Sequence, residues 1–182
     1  MNLYKEGYTL KFIENPGHGL TDPGAIGNSY KEKNITLPIA WLLGGILTHA
    51  GHEVDIQREG DSFIPLNQIG PMAIKAGGNR FISIHTDSST DITAHGCTTY
   101  YFPGDSRSKV IAEKVVNSVS AKMGITNRGA REANFQVLRD TWQAMPSILI
   151  ECAFISNPAE ANMLANLTQE WKLANGIAGG LL

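Results

Sequence analysis

The 182-residue sequence is short of several things, and each shortage removes a class of protein. It has only two cysteines, Cys97 and Cys152, both in strand-like apolar surroundings. Two buried thiols suit that setting better than a disulfide, and no Cys spacing matches a structural zinc site. Excess basic charge is missing: the formal net charge is -2 and no run of Lys or Arg exceeds two residues. That balance gives no electrostatic basis for nucleic acid or an anionic membrane as partner. No apolar stretch approaches the roughly 20 residues of a membrane span, so membrane insertion is not expected. The first ten residues, MNLYKEGYTL, carry charge and no apolar core, so no secretion signal is visible. What remains is an apolar content of 42% and a charged content of 18%, which are values of a packed domain rather than a disordered chain. The length suits one hydrophobic core.

Strand and helix signals alternate along the chain. Leu10 to Glu14 reads as a short strand that the turn residues Asn15-Pro16-Gly17-His18-Gly19 then break. From Glu32 to about Ala50, Ile35, Ile39, Leu42, Leu43, Ile46 and Leu47 recur on one helical face, with Gly51 as a C-terminal stop. Pro38 sits awkwardly within that span and leaves the helix start open. His52 to Ile56 reads as a strand. Ile64 to Ala76 is a weaker helix candidate because of Pro65, Gly70 and Pro71. Arg80 to Thr86 is a strand that is apolar on both faces over most of its length, as in a covered sheet. Cys97 to Phe102 is another strand. Ser106 to Met123 is the strongest helix, with Val110, Ile111, Val115 and Val119 as its stripe and Gly124 at its end. Phe135 to Arg139 reads as a short strand and Pro146 to Ile155 as a central, buried one. Asn157-Pro158 opens a helix with proline at its first position, and a last helix begins near Thr168. This order predicts an α/β fold: one domain of three α/β/α layers around a mostly parallel twisted sheet.

Open α/β sheets build their sites where strands deliver residues at their carboxyl ends. His18 follows the first strand, His85 ends the RFISIH strand, and Glu151 lies near the end of the SILIE strand. If these strands are parallel neighbours, the three side chains emerge at one edge, with Glu32 at the start of the next helix on that edge. Two imidazoles and a carboxylate are a common ligand set for catalytic zinc, which keeps a fourth position open for water. A further carboxylate then serves as general base. Each residue alone also has a structural reading. A histidine after a strand is often only a hydrogen-bonded turn residue, and Glu32 suits a helix N-terminus. Glu151 is harder to place structurally, because a carboxylate among Ile148, Leu149, Ile150, Cys152, Ala153 and Phe154 is costly to bury unpaired.

Taken in order, several segments resemble the zinc-dependent N-acetylmuramoyl-L-alanine amidases, a group that includes bacterial cell-wall amidases and phage endolysins. They are Asn15-Pro16-Gly17-His18-Gly19, Asp22-Pro23-Gly24-Ala25 with Gly27, Glu32-Lys33-Asn34, and Phe81-Ile82-Ser83-Ile84-His85. Gly96, Tyr100-Tyr101, Asn127-Arg128-Gly129, Val137-Leu138-Arg139 and Glu151-Cys152-Ala153-Phe154-Ile155-Ser156-Asn157-Pro158 continue the series. The resemblance implies one Zn2+ per chain held by His18, Glu32 and His85, with Glu151 as general base. It implies hydrolysis of the amide joining the lactyl group of muramic acid to L-alanine in peptidoglycan. Residues 1–182 would then be one zinc amidase catalytic domain, with any cell-wall-binding domain outside this chain. Asn15 stands where the family usually has Asp, and Asp87 where it has Asn. The family's usual arginine in the second helix has no counterpart around Leu66 to Ile69.

Other polar and aromatic residues are read as structural first. His49 and His52 suit a helix end and a turn, His95 a turn before its strand, and Trp41, Trp142 and Trp171 ordinary packing, although Trp142 is placed to meet sugar or peptide. Arg128 suits either a substrate carboxylate or a protein acid. Two other functions remain open: a zinc peptidase cutting within the stem peptide, and a non-catalytic wall-binding module. The absence of a visible signal suits a phage or prophage endolysin made in the cytoplasm, and a truncated secreted amidase equally.

Overall fold

The computed structural model describes residues 9–182, so most of the N-terminal segment examined for a secretion signal lies outside the described residues. Its elements in chain order are β1 (Lys11–Pro16), β2 (Ile26–Gly27), β3 (Tyr30–Lys31), α1 (Glu32–His49), β4 (Glu53–Ile56), α2 (Leu66–Ala76) and β5 (Arg80–Asp87). There follow β6 (Cys97–Tyr101), α3 (Ser106–Met123), β7 (Asn127–Glu132), α4 (Gln136–Thr141), β8 (Ser147–Phe154), α5 (Pro158–Leu164) and α6 (Leu167–Leu181).

The main sheet has six strands in the order β4-β1-β5-β8-β6-β7. The first four run parallel, β6 is antiparallel to β8, and β7 is parallel to β6. The chain leaves β1 through α1 to reach β4 on one side, then crosses through α2 to β5 on the other. Parallel crossovers are right-handed, so opposite directions of travel place α1 and α2 on opposite faces. Strand order therefore reverses between β1 and β5, and a crevice opens at their carboxyl ends.

Alternation along the strands sorts the core into two layers. Phe12, Ile82, Ile84, Ile148 and Ile150 face one way and pack with Ile39, Leu43, Val115, Val119, Leu173 and Ile177 of α1, α3 and α6. Ile13, Phe81 and Leu149 face the other way and meet Ile69 and Ala73 of α2 and Val137 and Leu138 of α4. The three-layer expectation holds, as do the two buried free thiols, Cys97 and Cys152.

Three local readings change. Phe135 to Arg139 is not a strand: α4 spans Gln136–Thr141, and Val137, Leu138 and Thr141 bury together at helical spacing. Five residues with two adjacent apolar positions carry too little periodicity to separate the two forms. Asn127–Glu132 is an edge strand with no apolar alternation, which the sequence hides because charged residues are what an exposed edge tolerates. β1 also continues through Asn15 and Pro16 instead of breaking there. Pro38 proves to lie inside α1, whose buried stripe Ile35, Thr36, Ile39, Ala40, Leu43 and Leu47 holds the helix despite the lost N–H. Among the described residues no helix is long and apolar enough to cross a membrane.

Candidate active site

The crevice collects the four residues that the sequence singled out. On the α2/α4 face of the sheet, Ile13 and Asn15 alternate along β1, Phe81, Ser83 and His85 along β5, and Leu149 and Glu151 along β8. His85 and Glu151 are direct register partners on adjacent parallel strands. His18 lies just past β1 and adopts a left-handed backbone (φ 66°), a conformation that costs a non-glycine residue about 1–3 kcal/mol and needs its surroundings to hold it. Glu32 opens α1 and is buried.

The ligand atoms of His18, Glu32 and His85 all lie within 4.8 Å of one another. His18 Nε2 is 3.1 Å from one Glu32 oxygen, and His85 Nδ1 is 2.9 Å from the other. The outer nitrogen of each ring settles its proton. His18 Nδ1 lies 2.8 Å from Asp22 Oδ2, an ionised carboxylate that only accepts, so Nδ1 carries the hydrogen and Nε2 is free. On the other ring, Ser83 Oγ donates to Asn15 Oδ1 at 2.8 Å, which leaves it only as an acceptor for His85 Nε2 at 3.1 Å. Nδ1 of His85 then faces the centre with its lone pair.

Three electron-rich atoms thus converge on one point, an arrangement that requires a proton or a cation between them. Burial works to lower the His18 pKa, but the hydrogen bond and charge of Glu32, joined by Asp22, push it up to about 9. Burial likewise works against ionised Glu32, yet hydrogen bonds from His18 and His85 hold its carboxyl well below the usual range. The backbone is shaped to the rings. A Cβ on Gly17 would stand 2.3 Å from His85 Cε1, and one on Gly24 would stand 2.5 Å from His18 Cδ2 and 2.6 Å from Glu32 Oε2. Two imidazoles, one carboxylate and room only for glycine beside them fit a tetrahedral zinc with an open fourth position.

Glu151 sits beside this centre without joining it. Its Oε2 is buried and has no hydrogen-bond partner among the described residues. Burial, and then the charges of Glu32 and Asp87, raise its pKa well above the carboxylate range. A groove of about 290 Å³ runs past His18, Glu32, His85, Asp87, Gln136 and Glu151. A second groove of about 210 Å³ shares Leu66 and Val137 with the first, is walled by Phe63, Ile64 and Ile69, and reaches the same two histidines.

Two supports escaped the sequence reading. Arg58 is 2% exposed and donates to Pro16 O, Gly17 O, Lys33 O, Gly60 O and Thr36 Oγ1 at 2.9–3.1 Å. One guanidinium thereby ties the His18 loop to the first turn of α1, where Glu32 sits. A single Arg in the loop after a short strand carries no periodic signal that would have marked it. The second support is the β2–β3 hairpin, whose loop residues Asn28 and Ser29 both have positive φ, as tight hairpin turns demand. Asn28 Nδ2 donates to Ile155 O, fastening the hairpin to the end of β8.

The remaining candidates stand apart from the centre. His52 Nδ1 accepts from Leu10 N, and His49 ends α1. His95 is exposed, with Nδ1 2.8 Å from Thr93 O. Trp142 stacks on Phe102 at 5.0 Å between ring centroids, so packing is its role here.

The sequence profile of the family described as N-acetylmuramoyl-L-alanine amidase matches residues 14–182. A probable cell wall amidase, LytH, of Staphylococcus saprophyticus is 38% identical over 172 residues, which are 93% of this chain and 56% of that protein. LytC of Bacillus subtilis, an N-acetylmuramoyl-L-alanine amidase, is 34% identical over 93% of this chain, which spans 34% of LytC. Among solved structures, an N-acetylmuramoyl-L-alanine amidase from Clostridium difficile 630 superposes with a TM-score of 0.91 at 31% identity, covering 95% of each chain. The catalytic domain of CwlV from Bacillus (Paenibacillus) polymyxa gives 0.88 at 33% identity, covering 95% of this chain and 96% of that one. With the profile covering nearly the whole chain and the fold shared end to end, this protein belongs to the N-acetylmuramoyl-L-alanine amidase family.

Proposed function

We propose that residues 14–182 form a catalytic domain that hydrolyses the amide between the lactyl group of N-acetylmuramic acid and L-alanine in peptidoglycan. The observation that carries this reading is the convergence of His18, Glu32 and His85 within 4.8 Å, with Glu151 beside His85 in strand register. His18 Nε2, a Glu32 oxygen and His85 Nδ1 would hold one zinc ion. When bound, zinc supplies Lewis acidity, lowering the pKa of water and polarising a carbonyl oxygen.

The protein's own residues do the rest. Asp22 and the Ser83–Asn15 pair hold one proton of each histidine on its outer nitrogen, so that the inner nitrogen is the one offered to a metal. Glu151 takes the proton of the attacking water as its oxygen bonds to the lactyl carbonyl carbon, and hands that proton to the L-alanine nitrogen as the C–N bond breaks. A carboxyl whose pKa is already raised suits both halves of that exchange. The names of the relatives, cell wall amidases among them, support peptidoglycan as the substrate.

Chelation should abolish amine release from purified cell walls, and added zinc should restore it. Free L-alanine amino groups among the products support the amidase reading. New termini inside the stem peptide would instead support a zinc peptidase. A zinc-loaded protein that bound walls and released no amines would sink both enzyme readings.

A further inference from the structure

Arg128 is unexplained by the chemistry above, and its position across the sheet gives it a role. The strands form a row. His85 pairs with Glu151, and Glu151 pairs with Thr98. Opposite Thr98, the β6–β7 register breaks between Cys97↔Asn127 and Thr99↔Ala130, so Arg128 and Gly129 stand there as the bulge. A bulge re-aims a side chain, and this one turns the Arg128 guanidinium over the ring of Phe154, 4.9 Å from its centroid. Phe154 is the register partner of Asp87, a wall residue of the groove that holds Glu151. Arg131 follows on the same strand and donates from Nε to Arg128 O.

Among the described residues, neither Arg128 nor Arg131 has a carboxylate within 4.0 Å. The Arg128 side chain donates to His95 O through Nη1, and among the described residues Nε and Nη2 have no hydrogen-bond partner. The residue is half-buried and its guanidinium is braced on Phe154, beside Asp87 at the groove wall. Both cations are near enough for their charges to oppose the upward push that burial gives the pKa values of Asp87 and Tyr100.

The other side of the centre is different in kind, with Phe63 (45% exposed) and Leu66 (53% exposed) beside Ile64 and Ile69. The two rims match the two arms of the substrate of the proposed function, on which this inference rests. The muramyl arm is uncharged around the scissile amide, whereas the peptide arm carries a carboxyl group on its second residue. We propose that Arg128, backed by Arg131, forms a carboxylate-binding subsite that takes the α-carboxylate of the second stem residue and lays the peptide arm across β6 and β7. Arg128 is then the residue that distinguishes a stem with a free α-carboxylate from one in which that group is amidated.

The test compares zinc-loaded parent and Arg128→Gln on two muramyl dipeptides that differ only in a free or an amidated α-carboxyl group on the second residue. Loss of one charge-assisted, forked contact is about a tenfold to hundredfold effect. The parent should favour the free acid by about that ratio in kcat/KM, and Arg128→Gln should bring the ratio close to one. Arg128→Lys, which keeps the charge and loses the fork, should fall between them. Calorimetric binding of the dipeptide product with a free α-carboxylate gives a second readout that needs no turnover, and the same order is expected. A parent that hydrolyses both substrates without preference, or an Arg128→Gln variant that keeps the full preference, overturns the subsite. Failure of the parent to release L-alanine amines from either substrate overturns the amidase reading instead, and binding of the product then still reports on Arg128.

Discussion

His85 and Glu151 face each other across one hydrogen-bonded step of the sheet, on the neighbouring parallel strands β5 and β8. Adjacent strands lie about 4.8 Å apart, so the imidazole and the carboxylate emerge side by side on the face that α2 and α4 leave open at the strand ends. In the proposed reaction the pairing would separate metal holding from proton transfer by one strand. His85 turns Nδ1 toward Glu32 and His18, and Glu151 keeps outside that triangle an oxygen with no partner among the described residues. Glu151→Gln should therefore bind zinc like the parent while amine release from peptidoglycan falls about a hundredfold to ten-thousandfold. Metal analysis and a product assay on one preparation check both halves, and full activity in this variant refutes the assigned base.

Ser83 orients His85 from behind, because its only proton goes to Asn15 Oδ1. Ser83→Ala should weaken zinc binding about tenfold or more by leaving His85 Nε2–H without its acceptor. Competition against a chelator measures this, and nitrogen chemical shifts of His85 should show the tautomer mixture that the hydroxyl now prevents. An unchanged dissociation constant would remove Ser83 and Asn15 from the site.

Arg58 should matter to folding as much as to the centre. Arg58→Met strips donors from Pro16 O, Gly17 O, Lys33 O and Gly60 O in a buried place. Unfolding by denaturant should show a loss of about 3 kcal/mol or more. Addition of free guanidinium ligands at low concentration should recover part of the zinc affinity if the clamp acts by holding the His18 loop against α1.

Glu14 gives the protein a pH-dependent stability that owes nothing to catalysis. Its carboxyl is fully buried under α1, between Ile56 and Ile82 of the adjoining strands, and neither oxygen has a partner among the described residues. Burial raises its pKa well above the ordinary 4.5. The folded state holds this proton more tightly than the unfolded state, so the contribution is fully present below about pH 4.5 and is lost as pH rises toward the folded value. Glu14→Gln should accordingly gain stability relative to the parent at pH 8 and little at pH 4.5. Denaturant midpoints at the two pH values decide it, and equal shifts at both would contradict the buried neutral acid.

Much of the site was legible because chemistry and periodicity coincide in it. A glutamate within SILIECAF stands out against its neighbours, and RFISIH ends a strand on a histidine. Strand ends in an alternating α/β chain are where sites form. Glu32 was the least legible of the four, since a glutamate at a helix start has an ordinary electrostatic reason to be there. The structure adds the missing reason: its two oxygens face two different histidines, and Thr86 N and Ala25 N donate to them.

Local sequence by itself determined the layered α/β architecture, the central buried strand at β8, the long helices α1 and α3, and the types of residue able to hold a metal. These depend on hydrophobic period and turn chemistry, which act over a few residues. Tertiary structure alone decided the rest. β7 has no apolar alternation to betray it, and α4 is too short for a period to show. Arg58 reaches carbonyls 25 and 42 residues away in sequence. The register of β8 between β5 and β6 sets Glu151 beside His85 on one side and puts the Arg128 bulge in the same row on the other. Those contacts join segments far apart in the chain, and their energies depend on which strands become neighbours, a choice made by the whole core at once.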